Sequence, residues 1–108
     1  MPRVDPRAWR PDAFKIAFEA LNVPGCRRFV AKIADEDVGF AAYLPTDNRL
    51  MSIASKYSGK GIGRALVAEL LLLGQLWCTS EKSAEGFYEA LGFTEDGKAE
   101  GKKVYRWV

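Results

Sequence analysis

Three glycines, Gly59, Gly61 and Gly63, stand on alternate positions, with Lys60 and Arg64 among them and an apolar run starting at Ile62. A strand passing through such a turn into a helix is an anion-binding design. The first backbone N–H groups of a helix have no intrahelical partner, and the helix dipole places partial positive charge there. Glycine lets a phosphate approach the backbone closely. Gly59, Gly61 and Gly63 therefore suit a pyrophosphate held by main-chain amides, with Lys60 and Arg64 adding charge at the rim. The bland alternative is that the turn only joins a strand to a helix, because short glycine motifs are weak signals. Two named phosphate loops do not fit. A Walker loop would need Gly where Ala54 stands and Ser or Thr where Gly61 stands. A dinucleotide fingerprint would need a small residue at Leu66.

The elements around this turn follow from hydrophobic periodicity. Phe14, Ala17, Phe18 and Leu21 recur at i, i+3, i+4, i+7, and Pro11 with Asp12 suits a first helical turn, so a helix is expected there. From Arg27 the period changes to two. Strands are expected over Arg27–Ile33, Val38–Leu44 and Leu50–Ser55, with turns at Asp35-Glu36-Asp37 and at Pro45-Thr46-Asp47-Asn48. These three should form an antiparallel meander. A helix over Ile62–Leu73, apolar on nearly all sides and stopped by Gly74, leads to a short strand over Gln75–Thr79. That strand should lie parallel to the third, with a right-handed crossover. Ser80 reads as the cap of a second helix with Ala84, Phe87, Tyr88 and Leu91 on one face, ended by Gly92. A final hairpin turning at Gly97 to Gly101 completes the order α-β-β-β-α-β-α-β-β.

Composition narrows the field. The 108 residues fit one domain, and 48% hydrophobic content can build one core. The formal charge of +2 argues for neither nucleic acid nor membrane. No apolar run reaches membrane-spanning length, and "MPRVDPRAWRP" has no signal-peptide core. Two cysteines without histidine make no zinc site, so no metal is expected. Cys26 and Cys78 read as free thiols in a reducing cytoplasm.

Two spaced motifs then carry a resemblance. "GKGIGRALV" and "EGFYEALGF" together resemble the GNAT superfamily of acyl-CoA-dependent N-acyltransferases. The family's turn, Arg/Gln-x-x-Gly-x-Gly/Ala, matches at Ser58, Gly61 and Gly63. Its later element matches at Ala84, Phe87, Tyr88, Gly92 and Phe93. The resemblance covers residues 27–108, with residues 1–10 as an irregular arm. It implies an α/β (α+β) fold: a mixed, mostly antiparallel sheet with a parallel pair at its centre, flanked by helices and shortened at its N-terminal part. It also implies acetyl-CoA as co-substrate, with the pyrophosphate on the amides of Ser58, Gly59, Lys60, Gly61, Ile62, Gly63 and Arg64. The pantetheine arm would run between the fourth and fifth strands of the family, pairing near Ile53, Ala54 and Ser55.

The chemistry implied is acetyl transfer to a primary amine by direct attack. In the family a tyrosine at the position of Tyr88 often protonates the departing thiolate, so Tyr88 is the expected general acid; otherwise it is a core aromatic. An amide near Ile53 or Ala54 would stabilise the oxyanion. Several positions depart from the pattern. The strand Leu50–Ser55 holds no carboxylate to act as base. Ser52 or Ser55 could hold a relaying water, while Glu36, Asp37 and Asp47 read as solvated. Ser58 replaces the usual Arg or Gln. Glu81, with Ser80 beside it, stands where a polar residue, often Asn, contacts the arm. Only 26 residues precede Arg27, so the acceptor side is open or completed by a second copy. The apolar helix and Trp107 would suit a homodimer, and Trp9 and Trp77 read as packing residues. A non-catalytic acyl-CoA-binding or protein-interaction module is the alternative. An arginine-rich N-terminal segment makes a nucleic-acid module a weaker third reading.

Overall fold

The computed structural model describes residues 5–8, 14–20 and 25–107. Seven strands form one sheet in the order β1-β2-β3-β4-β5-β7-β6. They are β1 (Lys15–Ala20), β2 (Arg27–Ile33), β3 (Glu36–Leu44), β4 (Arg49–Ser55), β5 (Trp77–Ser80), β6 (Thr94–Ala99) and β7 (Lys102–Arg106). Helix α1 (Ile62–Leu71) links β4 to β5, and α2 (Glu85–Leu91) follows β5. Neighbouring strands are antiparallel except β4 and β5, the parallel pair at the centre. The expected fold class is the one observed. Among the described residues, no helix is long and apolar enough to cross a membrane.

The expected first helix is a strand. Phe14 and Ile16 alternate with Lys15 and Ala17, so the same residues also carry a period of two. As β1, Lys15–Ala20 pairs with β2 in unbroken register and satisfies an edge that would otherwise expose unpaired N–H and C=O groups. Phe14 and Ile16 pack on the core. Pro11, Asp12, Leu21 and Trp9 lie outside the described residues. Within the expected arm, Pro6–Ala8 form a 3-10 turn with Pro6 buried.

Smaller differences share a cause: turn chemistry is local and tight. The β2–β3 turn is Ala34-Asp35, both in the left-handed region, so Glu36 and Asp37 open β3. Helix α1 ends at Leu71, with the Leu72 N–H bonding back to the Glu69 carbonyl and the Leu73 N–H to the Leu70 carbonyl, short of Gly74. The fifth strand is Trp77–Ser80. Ser80 is therefore buried at a strand end, its hydroxyl donating to the Glu81 carbonyl, and caps no helix. A 3-10 turn, Lys82–Ala84, enters α2 instead. Gly97 lies inside β6 at a register shift, and the last turn is Glu100-Gly101.

One cluster of buried side chains runs through the molecule, from Ala31, Val38 and Ala41 through Leu66 and Leu70 to Cys78, Tyr88, Phe93 and Tyr105. Helix α1 is buried at Ile62, Ala65–Ala68, Leu70 and Leu71. Its approach to β3 is close. A Cβ on Gly39 would stand 2.5 Å from Ile62 Cγ2 and 3.4 Å from Leu66 Cδ1, so β3 carries glycine where the helix crosses it. Leu72 and Leu73, past the helix, are exposed. Trp107 is not the exposed aromatic expected. It packs on the core, edge-on to Phe93 at 5.4 Å.

Candidate active site

The sheet opens at its centre. β4 and β5 share one ladder pair, Arg49↔Trp77. From there both strands run on without pairing, so their facing backbone groups are left to other partners. β4 also carries a bulge, since Tyr43↔Leu50 is followed by Ala42↔Ser52. Bulges re-aim a strand and leave the extra residue, here Met51, outside the ladder.

Beyond the end of β4 the chain enters the glycine turn. Gly59 and Gly61 adopt left-handed backbone, at φ 72° and 77°. Gly61 is the N-cap of α1, and no side chain caps the helix. The first intrahelical bond near this end is Ala65 N–H to the Gly61 carbonyl, 3.0 Å. The amides before Ala65 are thus the orphan donors of a helix start. Gly63 is small for a second reason. A Cβ there would stand 3.0 Å from the Phe87 ring, so glycine lets α2 pack against the start of α1.

These groups open on a cavity of about 330 Å³ lined by Ser55, Ser58, Gly59, Gly61, Gly63 and Arg64, with Phe87 as part of its apolar wall. Of the seven residues expected to bind an anion, the turn brings five to this wall, Ser58, Gly59, Gly61, Gly63 and Arg64, and Ser55, expected beside the pantetheine arm, joins them. Lys60 is exposed nearby and does not line the cavity; Ile62 is buried in the core. Ile53 is half-buried and faces Gly63, its Cδ1 3.9 Å from a Cβ placed there. Ala54 and Ser55 are exposed. Both also line a second hollow, of about 300 Å³, with Arg28, Val30 and Phe40.

Tyr88 sits one residue past Phe87 on α2 and is buried. Its ring stacks on Tyr105 at 5.8 Å and meets Phe87 and Phe93 edge-on at 5.1 and 5.6 Å. Its hydroxyl faces the Cys78 thiol of β5. Burial raises the Tyr88 phenol far above its ordinary range, and Cys78 adds to the shift. Burial likewise pushes the Cys78 thiol up to about 11. Both groups keep their protons at neutral pH. The structure thus places Tyr88 against β5, on the strand that parts from β4. Ser52 lies exposed on β4, paired with Ala42 across β3.

Of the three carboxylates read as solvated, Glu36 and Asp37 meet cations at exposed positions. Glu36 bonds Lys56 and the Tyr57 hydroxyl, which hold its carboxyl below the usual range. Asp37 meets Lys32 at 3.0 Å. Glu81 pairs with Lys102 at 2.6 Å. Sequence reasoning had no signal for the Cys78–Tyr88 contact, which depends on how α2 settles on β5. The role of Phe87 was visible only as one apolar helical position.

Residues 24–95 match the family model described as the acetyltransferase (GNAT) domain. No curated protein matches the sequence. Solved structures of similar fold include a GNAT family acetyltransferase from Elizabethkingia anophelis with acetyl-CoA bound. It is 16% identical, with TM-score 0.72, covering 89% of this chain and 98% of that one. Another is a putative acetyltransferase of the GNAT family from Desulfovibrio desulfuricans, 29% identical, with TM-score 0.64, covering 77% and 68%. A third is a GCN5-related N-acetyltransferase from Rhodopseudomonas palustris, 18% identical, with TM-score 0.67, covering 76% of this chain. The chain spans 61% of the length of that Rhodopseudomonas protein.

Proposed function

Because the chain belongs to the GNAT acetyltransferase family, we propose that it transfers an acetyl group from acetyl-CoA to a primary amine by direct attack. One observation carries this reading. An uncapped helix start with orphan amide donors opens on a 330 Å³ cavity, beside a sheet seam joined by a single ladder pair. The cavity suits a pyrophosphate on the amides from Ser58 to Arg64, with Arg64 at the wall and Lys60 at the rim. The unpaired edge of β4, at Ile53, Ala54 and Ser55, suits the amide-rich pantetheine arm, which can take the place of a missing strand neighbour. Ser80 can offer the arm its backbone or an accepting hydroxyl oxygen, since its hydroxyl proton already goes to the Glu81 carbonyl.

Each group then has a task. A neutral amine attacks the thioester carbonyl carbon. An amide of β4 near Ile53 or Ala54 donates to the developing oxyanion. As the intermediate collapses, the carbon–sulfur bond breaks and the sulfur takes the Tyr88 proton. The amine nitrogen loses a proton through water held by Ser52, and that proton restores the phenol. The buried phenol is a weak acid, so its transfer must be concerted with bond cleavage. The raised position also predicts a pH profile without an alkaline limb in the ordinary tyrosine range near 10.

Calorimetric titration with acetyl-CoA tests the binding half. Ser58→Glu places a carboxylate at the cavity wall without changing a positive-φ glycine, and should weaken binding by about tenfold or more. Tyr88→Phe tests the acid. It should lower kcat by roughly 10²–10⁴-fold while acetyl-CoA still binds. Unchanged turnover on an amine substrate would remove Tyr88 from the mechanism. Binding without turnover in the parent would favour a coenzyme-binding module.

A further inference from the structure

The seam between β4 and β5 has two sides. Cys78 points to the helix side, where it meets Tyr88. Side chains alternate along a strand, so Trp77 and Thr79 point to the other side. Arg49, the β4 partner of Trp77, lies with them. Its guanidinium stacks over the Trp77 ring at 4.9 Å, and its Nη2 reaches Thr79 Oγ1 at 3.5 Å. Arg106 covers the same indole at 5.3 Å. The Trp77 Nε1–H is fixed by the Asp47 carbonyl at 2.8 Å. The guanidinium of Arg49 is thereby held at the apex of the opening, over Trp77 and beside Thr79.

Arg49 differs from its neighbour in one respect. Arg106 is neutralised by Asp96. Arg49 meets no carboxylate among the described residues, and its buried Nε–H has no hydrogen-bond acceptor among them. A buried charged donor without an acceptor is costly, and such a group calls for an explanation. A guanidinium offers parallel donors that match a carboxylate. One unpaired positive charge matches one carboxylate rather than a phosphate dianion.

We propose that Arg49, held over Trp77 beside Thr79, binds the carboxylate of the acceptor, so that the acceptor is an amino acid or a comparably short amine that carries a carboxylate. This rests on the acetyltransferase reading of the seam. The acceptor approaches from the side opposite Tyr88, with its carboxylate on Arg49 and its amine over the gap where the thioester lies. Trp77 acts as a positioning residue, because its ring holds the guanidinium at the seam.

The test measures thiol release from acetyl-CoA with free amino acids and, in parallel, their carboxamides. The readout is the ratio of kcat/KM for each acid to that for its amide. At least one pair should favour the acid by about tenfold or more, and Arg49→Gln should reduce that ratio by about tenfold to a hundredfold. Arg49→Lys should retain part of it, since the charge remains without the fork. The ratio is taken on one protein, so partial misfolding of a variant does not move it. A parent that shows no acid preference overturns the assignment. So does a preference that survives in Arg49→Gln, or acetyl-CoA binding with no carboxylate-bearing amine acetylated. In each of those cases the acetyltransferase reading stands as long as some amine, a carboxamide included, is acetylated. A parent that binds no acetyl-CoA in calorimetry overturns that reading first, and this inference with it.

Discussion

The two halves of the sheet are held internally in one way and joined in another. β1, β2, β3 and β4 form a continuous antiparallel ladder, broken only by bulges. β5, β7 and β6 form a second one. Between the halves the backbone contributes the single pair Arg49↔Trp77. What joins them is side-chain packing: α1 lies on β3 from one half, and Tyr88 of α2 stacks on Tyr105 of the other, within one buried cluster. A sheet can thus be opened at its centre without dividing the protein. The opening is possible because apolar burial, which has no direction, does the work of the missing hydrogen bonds.

If the shared core joins the halves, damage to it should unfold both. Leu66 is fully buried and packs where α1 crosses β3. Leu66→Ala should cost about 3 kcal/mol, within the range of about 2–5 for such truncations. Denaturant unfolding followed by Trp fluorescence and by far-UV dichroism should show one coincident transition at lower midpoint. Two separated transitions would mean that the halves fold independently. Gly39→Ala attacks the same crossing from the sheet. Its new methyl would stand 2.5 Å from Ile62 Cγ2 and 3.0 Å from the Ala54 carbonyl. Overpacking of this kind should cost about 1–3 kcal/mol. The same equilibrium measurement checks it, and an unchanged midpoint would show that α1 can shift away from β3.

The two halves also differ in how well they could be read from sequence. The meander from Arg27 to Ser55 was legible because period-two patterns alternate with Asp- and Asn-rich turns. The glycine turn was legible because Gly59 and Gly61 need left-handed backbone and stand just before an apolar helical run. Residues 14–20 were not, since Phe14 and Ile16 serve a strand as well as the neighbouring spacing serves a helix. Only the presence of a β2 edge decides between them. The candidate site was legible where it is backbone, at the turn. It was hidden where it is a meeting of distant side chains, as at Cys78 with Tyr88 and Arg49 with Trp77. Nothing in the local sequence around Arg49 distinguishes it from the many solvated arginines.

Alkaline pH should weigh most on the C-terminal half, where burial raises Cys78, Tyr88 and Tyr105 strongly. The Cys78 thiol is raised by burial from its ordinary 9.0 to about 11. The unfolded chain therefore releases this proton first. Stability is intact below about pH 9, and falls as pH rises from 9 towards 11. A two-unit shift corresponds to roughly 2–3 kcal/mol. Thermal melts between pH 8 and 11 should show this slope, and Cys78→Ala should flatten it relative to the parent. An equal slope in both proteins would place the alkaline sensitivity elsewhere.

The smallest effect tests whether surface charge helps to hold either half. Lys102 of β7 meets Glu81, beyond β5, at 2.6 Å, and Lys32 of β2 meets Asp37 of β3 at 3.0 Å. In each pair the carboxylate is more than half exposed. Water and salt screen such pairs, and ordering two long side chains offsets the remaining attraction. Lys102→Ala and Lys32→Ala should each change stability by no more than about 0.5 kcal/mol, and less in 1 M salt. A loss above about 1 kcal/mol for Lys102→Ala alone would alter the comparison. It would mean that the C-terminal half, with its short ladder at β6–β7, depends on this pair to hold the segment between β5 and α2, and with it Tyr88, in place.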